Sequence, residues 1–155
     1  MHFSQKSCLA VCLVLLVNTA WANPAVKKAA DQFVGGVAWQ AQSVLTADFS
    51  CAGKTEHAIL GTSDKEIVVA IFTPDLKRAP EVLRFEAGGR KPDAAKIRLE
   101  DSSLTPAEIT SLAGSAPTGY KPSKTCKGVR LSDDASDAAH IYWDHDSKKF
   151  DSWAQ

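Results

Sequence analysis

Two textures of polar and apolar positions meet near residue 48. Beyond it, Leu83 and Phe85 alternate with Arg84 and Glu86, and Ile97 and Leu99 alternate with Lys96, Arg98 and Glu100. A period of two sends successive side chains to opposite faces, so each run predicts a strand with one face on a core and one in water. Residues 67–72, Ile-Val-Val-Ala-Ile-Phe, are apolar throughout and predict a central strand covered on both faces, which requires a helix or second sheet against it. Strands are predicted over 49–51, 57–60, 66–73, 81–86 and 96–100, separated by turn-forming pieces such as Thr62-Ser63-Asp64-Lys65 and Ala87-Gly88-Gly89-Arg90. Val129 and Leu131 open another strand, and 139–153 reads as a hairpin turning around Asp146-Ser147-Lys148.

Before residue 48 the spacing is helical. Asn23 and Pro24 supply a capping side chain and a first-turn proline, and Val26, Ala30, Phe33 and Val34 follow on one face with Lys27, Lys28, Asp31 and Gln32 opposite. This predicts a helix up to Gly35. Past Gly35-Gly36, helical spacing and the alternation of Val37, Trp39 and Ala41 fit equally, so helix and strand both stay open there. Thr105-Pro106-Ala107-Glu108 is a capping box with proline at the first helical position, and it predicts a short helix over 106–113 that Gly114 ends. Residues 115–124, rich in Pro, Gly and Ser, predict a loop.

The first 22 residues change the setting. Lys6, the apolar run 9–17 and Ala20-Trp21-Ala22 have the anatomy of a secretory signal peptide, which predicts export to the periplasm or beyond and a mature chain starting near Asn23. Cys8 and Cys12 leave with that leader, so Cys51 and Cys126 are the expected disulfide in an oxidising compartment. About 133 residues remain, the usual size of one domain. The 18 Lys and Arg balance 18 Asp and Glu without a basic stripe, which argues against nucleic acid as a partner. The leader's apolar run is too short to span a bilayer and no longer one follows, so no membrane span is expected.

Candidate chemistry is sparse. The mature chain has His57, His140 and His145 but no Gly-x-Ser-x-Gly elbow and no spare cysteine, so no catalytic constellation is predicted. Glu56, Glu66, Glu81, Glu86 and Glu100 occupy strand positions expected on a solvated face, and their spacing singles out no pair. Asp133, Asp134 and Asp137 concentrate carboxylates in one segment, and calcium, an oxygen-seeking ion, is the one cofactor they leave open; they lack the alternation and the glycine of an EF-hand loop. Tyr142, Trp143, Phe150 and Trp153 gather rings in the hairpin, either as cross-strand packing or as interface anchors.

The loop Ser115-Ala116-Pro117-Thr118-Gly119-Tyr120 resembles, in residue types, the loop that small exported β-rich inhibitors of lysozymes insert into the enzyme's cleft. It departs from their Ser-Gly-x-x-Tyr order, since Ala116 follows the serine and Gly119 directly precedes the tyrosine. The resemblance implies a binding role for Ser115 and Tyr120.

Together these readings predict one exported α+β domain over residues 23–155: a mainly antiparallel sheet, an N-terminal helix, one short helix, a C-terminal β-hairpin and one disulfide. The expected function is a non-enzymatic, monomeric binding or inhibitor protein acting on an envelope protein or cell-wall component through Ser115, Tyr120, Tyr142, Trp143 and Trp153. The alternatives are a calcium-binding envelope accessory protein and a small cell-wall hydrolase using carboxylates or His140.

Overall fold

The alternating runs pair into two antiparallel sheets in the computed structural model, which describes residues 23–87, 92–133 and 138–154. The fold class is α+β. Sheet A comprises β1 (Ala38–Trp39), β2 (Leu45–Ala47), β3 (Glu56–Thr62), β4 (Glu66–Phe72) and β5 (Glu81–Glu86), in the order β1-β3-β4-β5 with β2 also paired to β3. Sheet B is the meander β6 (Lys96–Asp101), β7 (Lys127–Ser132), β8 (Ala139–Asp144) and β9 (Lys149–Ala154). Helix α1 (Pro24–Phe33) covers one face of sheet A, and sheet B packs on the other.

The apolar run of β4 is explained by this layering. Ile67, Val69 and Ile71 meet Ile97, Val129, Leu131 and Ile141 of sheet B, while Val68, Ala70 and Phe72 meet Val26, Ala29 and Ala30 of α1. Fully burying one such aliphatic side chain contributes about 1.5–3 kcal/mol, so β4, with Ala58, Ile59 and Leu60 of β3 beside it, ties both interfaces together.

Helix α1 starts where its cap predicts, with the Asn23 side chain accepting from the Val26 amide. It ends at Phe33, two residues before the predicted Gly35, because Val34 is already extended. The chain beyond Gly36 resolves into strand β1, a single 3₁₀ turn at Ala41–Ser43 and strand β2. Trp39 lies over Gly61, its register partner, and a methyl group on Gly61 would run into the indole. Helix α2 (Pro106–Ala113) carries the complete capping box, and Gly114 closes it at φ 81°.

The strand predicted over 49–51 does not form; the strand there is β2, ending at Ala47. Side-chain carboxylates take the backbone amides that a ladder would need. Asp48 accepts from the Ala52 and Gly53 amides, and Glu56 accepts from the amides of Phe49 and Ser50 and from the Ser50 hydroxyl. Glu56 is consequently buried at 7 % exposure, not on the solvated face its strand position suggested. The predicted disulfide is present: Cys51, in this turn region, is bonded to Cys126, just before β7. With the Lys127 amide donating to the Asp48 carbonyl, it straps sheet A to sheet B.

Candidate functional site

The outer face of sheet B, turned away from the sandwich interior, gathers the chemistry. Alternation on β8 sends Ile141 and Ala139 to the core and His140, Tyr142 and Asp144 outward. On β6, Glu100 points outward opposite Gly128 of β7, and His140 is the register partner of Arg130 on β7 and of Trp153 on β9. Glu100 therefore reaches diagonally across β7 to His140. Gly128 makes that reach sterically open, since a Cβ there would stand 3.0 Å from the Glu100 Oε1.

The resulting contact is close: His140 Nδ1 lies 2.8 Å from Glu100 Oε2. A carboxylate only accepts, so Nδ1–H is the donor and Nε2 is the ring nitrogen left without a partner. The imidazole is stacked on the Trp153 indole, centroids 3.9 Å apart and 10° from parallel. His140 is 8 % exposed, and its Nε2 has no hydrogen-bond partner among the described residues. Buried polar atoms are rarely left so, because desolvation without a partner costs about 1–3 kcal/mol. The ring borders a recess of about 60 Å³ lined by Glu100, Ser102, Leu104, Tyr120, Tyr142 and Trp153. That volume holds a few waters or one small polar group.

A loop flanks the recess. Residues 115–125 leave α2 and return to β7, and their middle is fastened to the β8–β9 hairpin. The Tyr142 hydroxyl donates to the Thr118 carbonyl (2.8 Å), the His145 amide donates to the Gly119 carbonyl (2.9 Å), and the Tyr120 ring meets the Tyr142 ring edge-on at 5.6 Å. Gly119 is at φ 65° against the Asp144 carboxylate, a position no side chain fits. Asp144 in turn caps the hairpin turn by accepting from the Asp146 and Ser147 amides. These bonds, with that of the Ser147 hydroxyl foremost, hold its carboxyl below the ordinary value of 3.8. Burial pushes the Tyr142 phenol well above its ordinary range, assisted by Asp151 and Asp144, so it serves as a neutral donor.

The predicted binding residues thus separate. Ser115 and Thr118 are exposed on the loop; Tyr120 is half-buried at the recess; Tyr142 is buried as the loop's strut; Trp153 is half-buried beside His140. Trp143 faces the other way and packs edge-on against Phe150 on the sandwich side, 5.0 Å between centroids. Asp133 is buried, and Asp134 and Asp137 lie outside the described residues, as does the predicted leader. Among the described residues no group of three or more His, Cys, Asp or Glu converges to hold a metal ion, and no helix is long and apolar enough to cross a membrane.

Sequence reasoning missed Glu100 and Gly128. Alternation put Glu100 on the outward face of its strand, which holds, but the face is partnered rather than merely solvated. The register that brings residue 100 to residue 140 spans three strands and leaves no local signal. Comparison of the chain with protein-family models, curated proteins and solved structures finds no match. The likeness of residues 115–120 to an inhibitor loop rests on residue types alone.

Proposed function

We propose that this protein is a non-catalytic binding protein of an oxidising, extracytoplasmic compartment, and that the outer face of sheet B with its docked loop is its recognition surface. One observation carries this reading: a buried imidazole, fixed by Glu100 and Trp153, keeps Nε2 unpartnered at a small recess beside a preorganised loop. Fixing a polar group before contact spares the ordering cost at the moment of binding. The recess is too small to enclose a drug-sized molecule, so it suits one polar group of a larger partner lying across the face. The disulfide supports export, because such bonds persist in oxidising compartments.

A second reading has one observation in its favour. A carboxylate orienting the Nδ1–H of a histidine is two-thirds of a nucleophilic triad. Nothing among the described residues stands within hydrogen-bond reach of Nε2 to serve as the nucleophile, and this favours binding over catalysis.

The test uses the oxidised protein, its His140→Phe variant and its Tyr120→Ala variant as baits for envelope extract, with thermal melts to verify folding. We expect a partner that the wild type retains and both folded variants release. Identical capture by all three would remove the recognition surface from this face. Hydrolysis of cell-wall glycan lost in His140→Phe would replace binding by catalysis.

A further inference from the structure

We propose that the outer face of sheet B binds a glycan bearing carboxylates on its sugar rings, a uronic-acid type, along the transverse row Arg98, Arg130, His140 and Trp153. The proposal rests on the binding role above and names the chemistry it serves. The row follows from three register pairs, Arg98 with Arg130, Arg130 with His140 and His140 with Trp153, which set one residue of each strand in line from β6 to β9. It crosses three strand spacings, roughly 14 Å, from one edge of the sheet to the other.

Its first two members are the anomaly. Like charges directly opposite on one face of a sheet destabilise it. Arg98 and Arg130 are both exposed, and among the described residues neither pairs with a carboxylate. Glu100, the next outward residue on β6, is engaged by His140 instead. Two arginines opposite each other on an exposed face suit an external carboxylate, which a guanidinium fork can take in a bidentate way.

The other half of the row decides between occupants. An acidic protein side chain would satisfy the arginines and leave the rest unused. One strand further on, His140 fixes the row's middle, its Nδ1 held by Glu100 and its ring stacked on Trp153. Beyond it, Trp153 has one face on His140 and belongs to an edge strand, so no further strand covers its other side. An aromatic face takes the C–H face of a sugar ring. A carboxylate and an apolar ring face on one ligand are the surface of an acidic oligosaccharide.

Calorimetric titration with oligogalacturonate tests this, beside a neutral oligosaccharide of similar length and an oligoglutamate peptide. We expect saturable binding of oligogalacturonate that weakens with added salt. Binding should fall at least tenfold in the Arg98→Gln/Arg130→Gln double variant and in Trp153→Ala, with the neutral sugar and the peptide bound at least tenfold more weakly. The melting temperature of the double variant should equal or exceed that of wild type, because a repulsion is removed; a lower one would make the arginines structural and overturn the proposal. Absence of oligogalacturonate binding overturns it as well. Peptide binding as tight as that of the sugar would assign the row to an acidic protein. If His140-dependent capture persists while the sugar arm fails, the binding role stands and only the ligand class falls.

Discussion

Gly128 is the residue on which the geometry of the site turns. It is buried in β7 beneath the Glu100 carboxylate, with the Ile141 carbonyl also 3.0 Å from where a Cβ would be. A methyl group there would crowd a backbone carbonyl that cannot swing aside and the Glu100 side chain, which must give by a few tenths of an ångström. We expect Gly128→Ala to destabilise the protein by about 1–3 kcal/mol, the usual cost of overpacking. It should also shift the Glu100 carboxylate against His140, read as a change in the imidazole nitrogen chemical shifts. Unchanged urea unfolding together with unchanged shifts would show that the crossing of Glu100 over β7 does not depend on glycine. His140 and Trp153 follow the same logic: each is ordinary alone, and their stack with Glu100 behind it makes a fixed polar group from a flexible one.

Among elements, the β8–β9 hairpin does most to shape the outer face of sheet B. Its turn is closed by Asp144, whose carboxylate also fits against Gly119, so hairpin and loop share one anchor. The folded-state pKa of Asp144 is depressed, first by the Ser147 hydroxyl and then by the Asp146 amide. Unfolding therefore takes up a proton near the ordinary value. The stabilisation is complete above pH 3.8 and is lost as pH falls through the lower, folded value. Asp144→Asn should unfold at lower urea than wild type at pH 7, and the two midpoints should converge on acidification below about pH 4. A gap that does not change with pH would mean that the charge of Asp144 is immaterial to the turn. Helix α2 tells the complementary story of a wholly local element: Thr105 and Glu108 exchange both capping-box bonds across three residues, and the helix begins where they say.

At the scale of the molecule, two sheets and a helix are held by two doubly covered strands, β3 and β4, and one covalent strap. Cys51 and Cys126 are 75 residues apart in sequence. In the chain-entropy account, closing a loop of that length stabilises by about 4.5 kcal/mol at most. Cys51→Ser/Cys126→Ser should therefore lower the melting temperature by on the order of 10 °C while leaving the far-ultraviolet spectrum of the folded state unchanged. A loss below about 2 °C would show that the Lys127–Asp48 bond and the shared core hold the sheets together without it. Because the strap lies at the root of the loop that ends at Cys126, the same variant also tests whether loop order depends on oxidation.

The sequence by itself determined what nearest neighbours decide. A continuous apolar run wrote β4, period two wrote β5, β6 and the hairpin, the capping residues wrote both helix starts, and Cys51 with Cys126 was the expected bridge. These are short-range consequences of sterics, backbone hydrogen bonding and valence. It misjudged residues 49–51, where the carboxylates of Asp48 and Glu56 compete for the amides a strand would use. Only the tertiary structure decided which outward faces meet. Strand register across β6, β7, β8 and β9 set Glu100 against His140 and drew Arg98, Arg130, His140 and Trp153 into one line. Register is fixed by the fit of apolar side chains in the shared interior, and no residue in the row carries a local mark of it.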